Sequence, residues 1–191
     1  MEMKNTSFDK PSSFAPHFIV NLEKPLSLFG GYLTIGMFFL FGIMLFMIGK
    51  YDVAALSIGA MLLMYASIFH HKRMINERVI IAASTEGIYL QPFNLYVPFE
   101  CVEGVFEETE RLRGYTIVSL KLYFYVPYGQ LGYLRKKLIW RFSWPSLLRQ
   151  ESERCLVQIG IPYTVGKGQP LSYSKQEIAE TLNMMAANYK N

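Results

Sequence analysis

The stretch GYLRKKLIWRFSWPSLLR, Gly132 to Arg149, interleaves Arg135, Lys136, Lys137, Arg141 and Arg149 with Tyr133, Trp140, Phe142 and Trp144. Such cations attract anionic groups, each contributing about 1 kcal/mol near acidic lipid, and flat rings settle at headgroup level. The composition predicts a binding surface that contacts a protein partner or anionic lipid through Arg135, Lys136, Lys137, Trp140 and Arg141. Leu138, Trp140 and Phe142 alternate with Lys137, Ile139 and Arg141, which predicts a strand. Phosphate pairing and base stacking need the same groups, but no nucleic-acid motif accompanies them and no nucleic-acid partner is expected.

The remaining chemistry-bearing residues are sparse. EGVFEETER carries Glu103, Glu107, Glu108 and Glu110 without the Asp/Asn spacing and central Gly of a calcium loop, so it reads as a solvated acidic strand end or loop, with Arg111 and Arg113 as neighbouring partners. His70 and His71 lie beside Lys72 and Arg73, and His17 is the only other histidine, too few for a metal site. Cys101 and Cys155 are far apart and are expected to be reduced. There is no nucleophile elbow, zinc-protease motif, phosphate loop or carboxylate dyad, and GKGQ near Gly166 lacks the rest of a phosphate loop. No catalysis, no cofactor and no metal are expected.

Charge is segregated along the chain. Glu100 to Glu110 carries five acids and no base, whereas Arg111 to Arg149 carries eight Lys or Arg and no acid. Opposite faces or a folded-back pair would produce this order.

What must position these groups is uneven too. Leu26 to Gly49 is an uncharged run of 24 residues, and Val53 to Phe69 one of 17. A bilayer span needs roughly 17 to 25 apolar residues, and helices apolar on every side need covering. The expectation is therefore a two-helix transmembrane hairpin over residues 26–71, preceded by a cytoplasmic segment 1–25 and followed by a cytoplasmic domain 72–191. Lys4, Lys10 and Lys24 before the hairpin and Lys72, Arg73 and Arg78 after it, against Lys50 alone in the turn, place both termini in the cytoplasm. Gly36 and Gly42, with Ala55, Gly59 and Ala60, offer close helix approach. Packing within the hairpin accounts for them, with homo-oligomerisation as the other reading.

After Arg78 the apolar segments shorten. RVIIAAS, GIYLQPF, NLYVPFECVEGVFEE, YTIVSLKLYFYV, KKLIWRFSW and CLVQIGIPYTV read as six or seven strands. The chain closes with a helix opened by a capping box at Ser174 and Glu177, with Ile178, Leu182, Met185, Ala186 and Tyr189 on one apolar face.

ASTEGIYL (Ala83 to Leu90) and VPFECVEGVFEE (Val97 to Glu108), the latter with Phe99, Val102 and Val105 at its apolar positions, resemble bacterial membrane proteins in which a two-helix hairpin precedes a pleckstrin-homology-like (PH-like) domain, including the YcxB-like group. The resemblance implies a mostly β, α+β fold, an antiparallel barrel or sheet closed by a C-terminal helix, at the bacterial inner membrane. It implies no ligand. The stretch from Tyr125 to Glu153 departs from that pattern. The resulting expectation is a non-enzymatic, membrane-anchored module that holds a protein partner or a lipid headgroup at the cytoplasmic face. The alternative is a membrane immunity or defence accessory protein that neutralises a toxin by direct binding.

Overall fold

β-Branched and aromatic residues crowd the run from Tyr115 to Pro127, where Leu120, Leu122, Phe124 and Val126 are all fully buried at a period of two. Around this strand the rest of an α+β unit assembles. The computed structural model describes residues 7–22, 29–75, 78–112, 115–139, 145–151, 153–161 and 171–191. Two compact units result: Lys24–Arg78, and Met1–Glu23 joined with Val79–Asn191.

In chain order the elements are β1 (Phe18–Asn21), α1 (Phe29–Met47), α2 (Tyr51–Ile75), β2 (Val79–Ala83), β3 (Gly87–Leu90), β4 (Leu95–Pro98), β5 (Val102–Leu112), β6 (Tyr115–Pro127), α3 (Leu131–Ile139), β7 (Ser146–Gln150), β8 (Arg154–Gly160) and α4 (Lys175–Lys190). The strands make two four-stranded antiparallel sheets, ordered β1-β2-β3-β4 and β5-β6-β8-β7. This corrects the expected PH-like antiparallel barrel or sheet closed by a C-terminal helix. β5 and β7 stand at opposite edges of the second sheet and do not pair, so the sheet stays open.

The N-terminal segment supplies part of this unit. β1 pairs with β2, and Phe8, only 1% exposed, lies 6.0 Å from the Phe124 ring. The core continues through β8, where Cys155, Val157 and Ile159 are buried in alternation, and through Ile178, Leu182 and Ala186 of α4. The capping box of α4 is formed: Glu177 N–H donates to Ser174 Oγ at 3.2 Å, and Ser174 N–H donates to Glu177 Oε2 at 2.8 Å.

The hairpin unit is corrected in its turn. Among the described residues no helix is long and apolar enough to cross a membrane, which overturns the expected transmembrane pair. Of the uncharged run, the described part of α1 is Phe29–Met47, 19 residues. α2 is longer, with 25 residues, but it carries Asp52 in its first turn and continues through His70, His71, Lys72 and Arg73, lowering its mean apolarity.

Within the hairpin the helices meet where small residues allow it. Leu45 and Ala54 are buried, a Cβ at Gly42 would stand 3.6 Å from the Ser57 and Ile58 side chains, and Ser57 Oγ donates to the Phe38 carbonyl at 3.0 Å. Gly49 ends α1 at φ +79°, a conformation that glycine adopts without strain. Gly36 and Gly59 have no neighbour where a Cβ would stand, and Ala55 is exposed, so the expected close approach uses only part of the small-residue set.

Candidate binding surface

Leu134 and Leu138 explain why the basic stretch begins as a helix. They lie four residues apart and both are fully buried, so one face of α3 fills the core. The expected strand through Lys137 is corrected accordingly: 131–139 is helical, and Trp140 and Arg141 lie outside the described residues. Arg135 and Lys136 are exposed side by side on α3.

Lys137 serves a different purpose. Its Nζ sits 2.5 Å from Asp9 Oδ1, donates to the Phe8 carbonyl at 3.0 Å and lies 5.8 Å from the centroid of the Tyr133 ring. Hydrogen bonding from Lys137 holds the Asp9 carboxyl below its ordinary pKa, outweighing the opposing desolvation. Tyr133 donates to both Asp9 oxygens, at 3.2 and 3.1 Å, and its phenol is pushed up by desolvation first and by Asp9 second. These contacts fasten the N-terminal segment to α3. Of the five expected contact residues, the structure therefore places two together as exposed cations and commits a third to an internal ion pair.

The acidic and basic stretches fold back on one another, one of the two arrangements their order allowed. β5 and β6 form a long hairpin in which Lys121 reaches Glu108 Oε2 and Glu110 Oε1, each at 2.6 Å. The hydrogen bonds that Lys121 donates to Glu108, first, and to Glu110 raise the Lys121 pKa. The acids of EGVFEETER are thus partly neutralised across the hairpin. Among the described residues no group of three or more His, Cys, Asp or Glu could hold a metal ion. Cys101 and Cys155 are both buried.

Arg154 lies 4.1 Å from the Tyr125 ring centroid, and its Nε is 2.6 Å from Glu151 Oε2. Beside it runs β7, with all five residues exposed, including Leu147, Leu148 and Arg149. Arg149 meets Glu151 at 3.7 Å. An open cavity of about 520 Å³ lies elsewhere, lined by Asp9, Lys10, Glu86, Tyr96, Glu100 and Tyr189 among others. Lys10 stands over the Phe14 and Tyr89 rings at 5.2 and 4.9 Å, while burial, followed by the charge of Glu86, raises the Tyr96 phenol.

Sequence reasoning missed Phe8, Asp9 and β7. Phe8 and Phe14, together with the apolar run FIVNL at 18–22, were the signal that the N-terminus is packed. No family model, curated protein or solved structure matches the chain.

Proposed function

We propose that this chain is a non-enzymatic binding module, in which the hairpin of α1 and α2 attaches to an apolar surface and the α+β unit presents a recognition surface to a protein partner. The observation that carries this reading is the exposure of large apolar side chains around both helices. Leu40 is 67% exposed, Leu56 74% and Leu63 73%, alongside Met37, Phe39, Phe41 and Phe46. Isolated apolar residues at a surface are ordinary; an apolar surface this continuous marks an interaction site.

The α+β unit supports the second half of the reading. It brings Arg135 and Lys136 to the surface of α3 and Arg149 to the surface of β7. Exposed cations of this kind steer an acidic partner and fix its register. The partner is identified by crosslinking the tagged full chain in cells and analysing the captured material by mass spectrometry. A stoichiometric protein crosslinked to 131–150 supports the reading; recovery of the chain with neither protein nor lipid attached overturns it.

A further inference from the structure

Four strands stand at sheet edges, and three of them meet another part of the chain. On β1, Asn21 N–H donates to Ser172 Oγ at 3.0 Å while its carbonyl accepts from Ser172 N–H at 3.0 Å, beside a bridge from Leu22 to Leu171. On β4, Tyr96 N–H donates to the Phe8 carbonyl at 3.1 Å. On β5, Asn183 pairs with both backbone groups of Val105, and Lys190 Nζ donates to the Val102 carbonyl at 2.6 Å. Among the described residues the outer edge of β7 meets no such segment, and all five of its residues are exposed. An uncovered edge offers a row of backbone donors and acceptors to an incoming strand.

We propose that the outer edge of β7 is a docking site for an extended, acidic segment of a partner protein, which adds as a fifth strand to the second sheet. The inference rests on the reading of the chain as a binding module. Main-chain pairing supplies affinity in this mode, and side-chain charge supplies the choice of partner.

Charge selects the occupant. β7, Ser-Leu-Leu-Arg-Gln, carries one charge, that of Arg149, and no acid. Arg149 remains 72% exposed at its side chain, and the carboxylate it meets at 3.7 Å, Glu151, is taken by Arg154 at 2.6 Å. A second copy of β7 would bring another Arg149 to the same edge. The pairing of β7 with β8 also slips between Leu147 and Arg149, leaving Leu148 as an extra residue. Such a bulge, together with a charge, blunts indiscriminate pairing, so that a strand of complementary charge is favoured over a like one.

The test uses the full chain and two synthetic peptides, alternating Glu-Val and alternating Lys-Val, with backbone hydrogen exchange read at residues 146–150. The expected result is slowed exchange over β7 with the Glu-Val peptide only, and at least a tenfold weaker effect in Arg149→Glu. Protection by the Lys-Val peptide equal to that by the Glu-Val peptide would overturn the proposal, as would protection confined to residues outside β7. Concentration-dependent protection without peptide, the signature of two copies pairing, would also overturn it. Arg149→Glu changes an exposed side chain. Failure here with the hairpin still bound to an apolar surface overturns the docking strand alone; a freely monomeric chain overturns the module reading.

Discussion

Asn183 of α4 reads the edge of β5 as a neighbouring strand would: its Oδ1 accepts from Val105 N–H at 2.8 Å and its Nδ2 donates to the Val105 carbonyl at 2.8 Å. Val105 is 1% exposed, so neither backbone group has water as a substitute. Asn183→Ala is expected to cost about 1 to 3 kcal/mol, the usual penalty for stranding a buried polar group. Asn183→Asp keeps the acceptor but sets a carboxylate against the carbonyl, and is expected to cost at least as much. Urea denaturation measures the loss, and faster amide exchange at Val105 locates it.

Gly87 provides a steric contrast with Gly160. A Cβ at Gly87 would stand 2.6 Å from the Val97 carbonyl oxygen and 2.8 Å from the Tyr96 ring and hydroxyl, whereas at Gly160 it would meet nothing within 4 Å. Backbone cannot swing aside as a side-chain tip can, so Gly87→Ala is expected to destabilise by about 1 to 3 kcal/mol. Gly160→Ala should stay within about 0.5 kcal/mol of wild type. Equal denaturation midpoints for the two variants would contradict the packing described for β3 and β4.

The Asp9 to Lys137 pair makes a prediction about pH. Because the folded carboxyl is held below its ordinary value of 3.8, its contribution is fully present above the unfolded pKa and is lost as pH falls through the lower folded one. The stability difference between wild type and Asp9→Asn should therefore be constant above about pH 5 and shrink below about pH 4. Chemical denaturation at several pH values checks this. A difference that persists unchanged into strong acid would mean that the ion pair does not tie the N-terminus to α3.

Ser174→Ala removes the side-chain half of the α4 capping box, in which Ser174 Oγ accepts from Glu177 N–H at 3.2 Å. The expected loss is about 1 kcal/mol. Because α4 also carries Asn183, increased exchange at Val105 should accompany it.

Local signals in the sequence translated directly into structure. Ser174 and Glu177 mark the start of α4 because a capping box needs only two residues at a fixed spacing. The crowded β-branched and aromatic run from Tyr115 gives β6, and the acid-then-base order gives the hairpin joined by Lys121. The basic stretch was harder to read. Leu138, Trp140 and Phe142 alternate like a strand, yet Leu134 and Leu138 bury a helical face, and over so short a span the two periods compete. Apolar run length likewise does not set helix ends: α1 stops at Met47, while α2 carries on into Lys72 and Arg73. Lys137 looked like its basic neighbours because its partner, Asp9, lies far away in the chain.

The most direct measurement of the central claim is the partition of the full-length chain against a variant carrying Leu40→Lys and Leu63→Lys, both at exposed positions of the hairpin. Each is mixed with lipid vesicles or with cell extract, then separated by flotation and by size. The account predicts that wild type is recovered attached to lipid, to a protein complex or to further copies of itself, and that the double variant is released as a folded monomer. A wild-type chain that stays monomeric and free in every fraction, with its apolar helices uncovered, would contradict it.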